Sequence, residues 1–519
     1  RHAHVIGWQI DNEYSVVSYD EATRAAFQAF LRSRYGTLDR INELWTTAYW
    51  SQTYDDWSEI PLPVGPHNPG LMLEFRRFVS RVYANYQRAQ LEAIRAHSDR
   101  FVTHNFLGWF EAVDLDEVTA DLDLASWDSY VGSGHLDPLA EGVRHDLVRG
   151  LKRRNFWLME TQPGSVNWAP VNNALNRGGV RAMAWHAVGH GADAVLYWQW
   201  RSALNGQEQY HGSLVAPDGR PRPVYDEVRA LGADLARAAH ALRDTSLVAE
   251  CALLDSHDDR WAIQLQRHHA DFDPGAHAAS FYRALRPQVH TVDVLHPSRP
   301  LDGYRLVVAP HLHLCDEALA ARLEQFVRRG GHLVLGPRSG MKNEHNALLP
   351  SRQPGPLAGA LGAHVEEYYA LEAPVALDPA GQAQIWAEWL EADQSDVDVV
   401  LRYGRSNGWL DGRAAVVRRA LGAGSITYVG AWVDGDTMNR LAADWLAVSG
   451  VARTPAAHGV EVCRRVGRGR QVWICINHSR EAHSVNVPFS GLEVLTGRRC
   501  DGALSLGPYG VAVVEDAAP

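Results

Sequence analysis

Phe156-Trp157-Leu158-Met159-Glu160-Thr161-Gln162-Pro163-Gly164 is a short apolar run that ends on a carboxylate at a Pro-Gly turn. Runs of this kind read as buried strands, and a carboxylate placed directly after one needs a reason to be there. Outward from it, residues 1 to about 233 alternate apolar β-rich runs with long amphipathic stretches, the rhythm of parallel β/α units. The other strands expected are His4 to Ile10, Phe101 to Phe106, Leu124 to Tyr130 and Ala194 to Trp200. Between the first two lies a helical insert with Phe27, Phe30, Leu31 and Tyr35 at helical spacing, stopped by Gly36. Five such strands make most of a (β/α)8 TIM barrel without closing it, and three more would have to precede Arg1.

The alternation continues with different content from about residue 245. Cys251 to Asp255, Arg305 to Pro310, His332 to Leu335 and Ile426 to Val429 read as strands, with helices such as Asp316 to Arg329 between them. Beyond about 458 helices disappear, and short alternating runs such as Val460 to Val466 and Gln471 to Asn477 point to a small β-sandwich. The expected division is therefore 1–240, a partial TIM-barrel domain; 241–455, an α/β domain; and 456–519, a C-terminal β-sandwich.

Composition narrows the chemistry. With 50 basic and 61 acidic residues the net charge is -11, which argues against nucleic acid or an anionic membrane as partner. Tryptophan is abundant: 18 in all, 11 of them before residue 201, and a flat, half-polar ring stacks well on sugars. No run approaches the roughly 20 apolar residues of a membrane span. The five cysteines (Cys251, Cys315, Cys463, Cys475, Cys500) include no C-x-x-C pair, so reduced buried thiols and a cytoplasmic setting are expected. No signal peptide is visible, and Arg1-His2-Ala3-His4 runs within a few residues into a strand, as though cut from something longer.

Side chains at the carboxyl ends of parallel barrel strands face the active site. Glu13 follows the first strand and Glu160 ends the fourth. Two carboxylates on different strand ends suit glycoside hydrolysis, one protonating the leaving oxygen while the other attacks the anomeric carbon or activates water. Asn12 is placed to bond a sugar hydroxyl next to the reacting carbon, and Trp168 to stack on the ring. Glu208 and His211, three apart on a loop, can grip adjacent hydroxyls. His186 and His190 stand at i and i+4, but Ala187 occupies the place of the zinc-protease base, so no metal is expected there. Gly336-Pro337-Arg338-Ser339-Gly340 matches neither phosphate-binding fingerprint, and Cys315, although ahead of a helix start, has no base nearby in sequence.

Gly7-Trp8-Gln9-Ile10-Asp11-Asn12-Glu13-Tyr14 resembles the acid/base motif of the family 42 glycoside hydrolases, the β-galactosidases of a large retaining clan. The likeness continues in order through Tyr35-Gly36-Thr37-Leu38, Trp50-Ser51-Gln52-Thr53-Tyr54, Ile60-Pro61-Leu62-Pro63, Asn68-Pro69-Gly70, Met159 to Gly164, Asn167-Trp168, Trp200-Arg201 and Glu208-Gln209-Tyr210-His211-Gly212. The resemblance implies Glu13 as acid/base and Glu160 as nucleophile, with Asn12, Trp168, Glu208 and His211 binding the galactosyl unit. It implies hydrolysis of terminal β-D-galactosides through a covalent galactosyl-enzyme. It also implies an amidotransferase-like trimerisation domain, a homotrimer and no cofactor. Some members carry a cysteine cluster for zinc after the acid/base residue; Ser15 to Arg34 has none, so no metal is expected. The family's first three β/α units and a sugar-touching arginine have no counterpart, which implies a chain N-terminally truncated relative to the family, with barrel strands 4 to 8 present. Rival readings are an α-L-arabinopyranosidase and an inactive sugar-binding or assembly fragment.

Overall fold

The structure, a computed structural model, describes residue 2 and residues 4–517. Six short strands line the first region: β1 (Gly7–Gln9), β2 (Phe101–Thr103), β3 (Asn105–Leu107), β4 (Ser126–Ser129), β5 (Phe156–Thr161) and β6 (Ala192–Tyr197). β1 pairs with β2, and β3-β4-β5-β6 form a second sheet, every pairing parallel. The single strand expected from Phe101 to Phe106 is thus divided at His104, where the chain changes partner from β1 to β4. His104 is fully buried and its Nδ1 donates to the Ile10 carbonyl at 2.7 Å, fixing the change-over. β2 and β3 are successive parts of one segment, so the two sheets form one curved wall. The last strand begins at Ala192, directly after Gly191 at φ 108° turns the chain out of helix Gly179–Gly189.

Outside the wall the helical insert forms where its spacing predicts. Glu21–Tyr35 starts on Asp20, whose side chain accepts from Thr23 N, and ends at Gly36, φ 79°. It buries Phe27, Leu31 and Tyr35. Helix Pro69–Arg95 begins with the Asn68 cap and Pro at its first position, and lays Leu71, Phe75 and Phe78 against the same core.

The middle region contributes an eleven-stranded sheet. Its parallel half runs Asp293–Leu295, Cys251–Leu254, Leu306–Ala309, His332–Leu335, Gly424–Val429, the doubly wound order second, first, third, fourth, fifth along the chain. The other half, residues 363–433, is an antiparallel extension that continued α/β alternation does not anticipate. Antiparallel strands keep one solvated face, so their apolar and polar residues interleave and resemble amphipathic helix in a short window.

The C-terminal region corrects the sandwich expectation. One continuous path of hydrogen-bonded strands runs Arg498–Leu506, His483–Glu493, Val511–Ala517, Arg470–Asn477, Val460–Gly467, and ends on Ser246–Leu247 from before the middle sheet. The long strand His483–Glu493 breaks register between Asn486 and Ser490, and a bulge of that kind bends a strand. The sheet closes over Val460, Trp473, Val485 and Leu506 on one face, while Val472, Ile474 and Ile476 pack on Trp185 and Ala238 of the barrel helices on the other.

A shared core joins the first two regions: Leu147 and Phe156 belong to the same buried cluster as Tyr282, Val294 and Trp445. Helix Pro138–Lys152 crosses strand Asp293–Leu295 so closely that a Cβ on Gly150 would lie 1.8 Å from the Val294 carbonyl oxygen. Gly150→Ala is expected to destabilise the protein by about 1–3 kcal/mol through overpacking, read as a lowered denaturant midpoint with unchanged secondary structure.

The C-terminal sheet is locked to both other regions by buried charges. Glu461 accepts from His190 Nε2 (2.9 Å) and His478 Nε2 (3.1 Å) and forms ion-pair contacts with Arg286 Nη2 (2.8 Å) and His186 Nε2 (3.2 Å). His190 Nδ1 reaches Asp146 at 2.9 Å. All five cysteines are buried and unbridged, and burial pushes the Cys315 thiol up to about 12. Among the described residues no helix is long and apolar enough to cross a membrane.

Candidate active site

The segment Ile10 to Tyr14 leaves β1 and is clamped from below by His104. The His104 Nδ1–H donates to Ile10 O, and Nε2 accepts from Tyr14 N at 3.4 Å, a pattern that needs the neutral ring. Burial supplies it, pushing the His104 pKa down to about 4. Tyr14 stacks on the same ring, centroids 3.8 Å apart. Between the clamped ends Asp11 and Glu13 take φ of 50° and 39°. Such conformations are costly for non-glycine residues and gather at functional sites; here they turn Asn12 and Glu13 toward the cavity.

That cavity, about 920 Å³, opens at the carboxyl ends of the strands. Each residue given a part in sugar chemistry from the sequence lies on its wall: Asn12, Glu13, Glu160, Trp168, Glu208 and His211. One oxygen each from Glu13, Glu160 and the unanticipated Asp128 lie within 4.8 Å of one another. The parallel register sets Asp128 of β4 beside Glu160 of β5.

Glu160 is half-buried. Its Oε2 accepts from Tyr130 Oη at 2.7 Å, and Asn105 Nδ2 stands 3.5 Å from Oε1. Burial raises its pKa; the Tyr130 hydrogen bond pulls it back, and the neighbouring Glu13 and Glu208 charges push the same way as burial. Tyr130 itself is held protonated by burial and by that hydrogen bond. Its ring meets Trp168 and His211 edge-on, with centroids 6.1 and 5.7 Å apart.

Trp168 is 60% exposed on the cavity wall. Glu208 is held by Trp198 Nε1 at 2.7 Å, next to a cis Trp198–Gln199 peptide. His211 is buried; its Nδ1 meets Asn167 Oδ1 at 3.2 Å, and the ring also faces the Trp198 backbone. Burial lowers the His211 pKa, so the ring is neutral at physiological pH.

Asn105, Asp128 and Tyr130 escaped the sequence reading. Each is a polar residue inside or just after a run read as a strand, and an interrupted apolar run is the signal that marks them. His186 and His190 do not approach this cavity's wall; they serve the junction at Glu461.

Residues 1–238 match the glycoside hydrolase family 42 model described as Beta-galactosidase. Residues 249–452 match the Beta-galactosidase trimerisation domain and 459–516 the Beta-galactosidase C-terminal domain. The curated relatives include beta-galactosidase Bga of Halorubrum lacusprofundi, 37% identical over 99% of this chain and 79% of its own length. A beta-galactosidase of Thermus thermophilus is 35% identical over 99% and 80%. Among solved structures, the beta-galactosidase from Bacillus circulans sp. alkalophilus superposes with a TM-score of 0.95 at 28% identity, covering 99% of this chain and 80% of that one.

Proposed function

The chain belongs to glycoside hydrolase family 42, and on that premise we propose that it is a β-galactosidase releasing terminal non-reducing β-D-galactosyl residues by double displacement. Glu160 is the nucleophile and Glu13 the acid/base. The observation that carries the stereochemical part is the separation of the two carboxyl groups. Oxygens of Glu13 and Glu160 within 4.8 Å suit retaining enzymes, whose carboxyls stand about 5–5.5 Å apart, and leave no room for the water that inversion places across about 6.5–9.5 Å.

In the first step a Glu160 oxygen forms a bond to the anomeric carbon as the glycosidic C–O bond breaks, and Glu13 gives its proton to the departing oxygen. In the second, Glu13 takes a proton from water, the water oxygen attacks the anomeric carbon, and the bond to Glu160 breaks. Tyr130 holds the nucleophile through its 2.7 Å hydrogen bond. Asn12 bonds the hydroxyl beside the reacting carbon, a contact that strengthens as charge develops there. Trp168 stacks on the sugar, and Glu208 and His211 take its outer hydroxyls.

On this reading residues 1–240 carry the chemistry, 241–455 the trimer contacts and 456–519 the C-terminal β domain, and the protein is a cytoplasmic homotrimer needing no cofactor. The match to a trimerisation domain supports the oligomer; sedimentation equilibrium tests it. For the reaction, proton NMR of the first product from a nitrophenyl β-galactoside is expected to show β-galactose before mutarotation. α-Galactose appearing first would overturn the assignment of Glu160 as nucleophile.

A further inference from the structure

Asp128 is a third carboxyl group in the same cavity, with no part in the two-glutamate reaction. It is 4% exposed. Oδ2 accepts from Asn105 Nδ2 at 2.6 Å, while Oδ1 is buried without a hydrogen-bond partner. The groups facing it are the Glu160 carboxyl from β5, the Glu13 carboxyl from the segment after β1 and the neutral Asn105 amide from β3, with the Tyr130 hydroxyl held protonated on Glu160. The nearest cation on the cavity wall, Arg144, is engaged by Glu141 at 2.7 Å.

Asn105 is the hub of this group and is fully buried. Its Oδ1 accepts from Gln9 Nε2 at 2.9 Å. Its Nδ2 lies 2.8 Å from Asn12 Oδ1, 2.6 Å from Asp128 and 3.5 Å from Glu160. One amide therefore touches a sugar-binding residue, the nucleophile and Asp128 together, and Asp128 is its shortest contact.

Resting on the reading of Glu13 and Glu160 above, we propose that Asp128 is a positioning residue that works as an uncharged carboxylic acid. Oδ2 fixes the Asn105 amide, and through it Asn12 and Glu160, while a proton on Oδ1 is donated toward the catalytic pair. An ionised Asp128 would put a second fixed negative charge beside the nucleophile and oppose the Glu160 carboxylate. Burial and the neighbouring Glu160 charge both raise the Asp128 pKa, in keeping with the unpartnered oxygen.

The test uses the whole protein and a nitrophenyl β-galactoside, with Asp128→Asn, Asp128→Ala and Glu160→Ala measured together. Turnover by the parent and its loss in Glu160→Ala establish the underlying reading; failure there sinks that reading and is seen separately. With it established, Asp128→Asn, uncharged and still a donor, is expected to lower kcat only a few-fold. The alkaline limb of kcat/KM should stay within about 0.3 pH units of the parent, because no charge beside Glu13 has changed. Asp128→Ala is expected to lower kcat by about 100-fold with KM nearly unchanged, as lost alignment does. An alkaline limb displaced downward by a unit or more in Asp128→Asn would mean that an ionised carboxylate had been removed, and would overturn the proposal. So would Asp128→Asn falling as far as Asp128→Ala. The Asn variant decides alone if the Ala variant does not fold.

Discussion

Glu160→Ala is expected to lose on the order of 10⁴-fold or more of kcat on a nitrophenyl β-galactoside, the scale on which removal of a covalent nucleophile acts. The loss has a local cause. Tyr130 donates to Glu160 at 2.7 Å and Asn105 stands beside it, so the carboxylate is held, half-buried, where the anomeric carbon must come. Truncation leaves the cavity intact but empty at that point. Azide, a small anion, is therefore expected to restore part of the rate and to give α-galactosyl azide, because it enters from the face the carboxylate occupied. Glu13→Ala should behave differently: the nitrophenyl substrate, whose leaving group needs little protonation, loses less than an alkyl galactoside, and azide yields the β-azide from the second step. Turnover in Glu160→Ala equal to the parent's would remove Glu160 from the mechanism, and α-azide from Glu13→Ala would reverse the two roles.

Strand-end carboxylates are legible in sequence because a parallel strand needs apolar residues on both faces, so Glu160 after Phe156 to Met159 stands out. Glu13 stands out only by its neighbours Gly7 to Tyr14, since the backbone turn that aims it depends on His104, some 90 positions away in sequence. The pairing of Asp128 with Glu160 is a matter of register between β4 and β5, and register is fixed by packing that no local pattern encodes. The same limit explains the middle sheet. Four of its parallel strands, such as His332–Leu335, are continuous apolar runs and legible as such, whereas the three-residue Asp293–Leu295 is too short to stand out and Gln382–Ala392 interleaves Trp386 and Leu390 with Gln384, Glu388 and Glu391. His186 and His190 show a further limit. Their i, i+4 spacing is visible, but their partner Glu461 lies 271 residues beyond His190.

Glu461→Ala is expected to cost about 3–5 kcal/mol, the price of breaking a buried ion pair from one side. Removing this carboxylate leaves Arg286, 2.8 Å from it, without its ion-pair partner, and leaves His190, 2.9 Å away, with Asp146 alone, in a region where both side chains are at most 4% exposed. Tertiary consequences follow from where those groups live: Glu461 is on the C-terminal sheet, His186 and His190 on or just after a barrel helix, and Arg286 at the end of helix Pro274–Leu285 of the middle region. The C-terminal sheet should loosen first, seen as protease cleavage between residues 450 and 460 at denaturant concentrations the parent resists. The pH dependence has a definite sign. Burial opposes the Glu461 charge, but Arg286 and the histidines hold its pKa well below 4.5, so its contribution is complete above about 4.5 and is lost only as pH falls through the lower folded value. Burial likewise opposes the His190 charge, but Asp146 and Glu461 raise its pKa above 6.5, so its contribution is complete below 6.5 and is lost as pH rises through the raised value. The stability gap between parent and variant should therefore be widest between about pH 4.5 and 6.5 and narrow on the alkaline side as His190 gives up its proton. A gap under about 1 kcal/mol, or one that stays constant from pH 5 to pH 9, would show that this junction does not hold the three regions together.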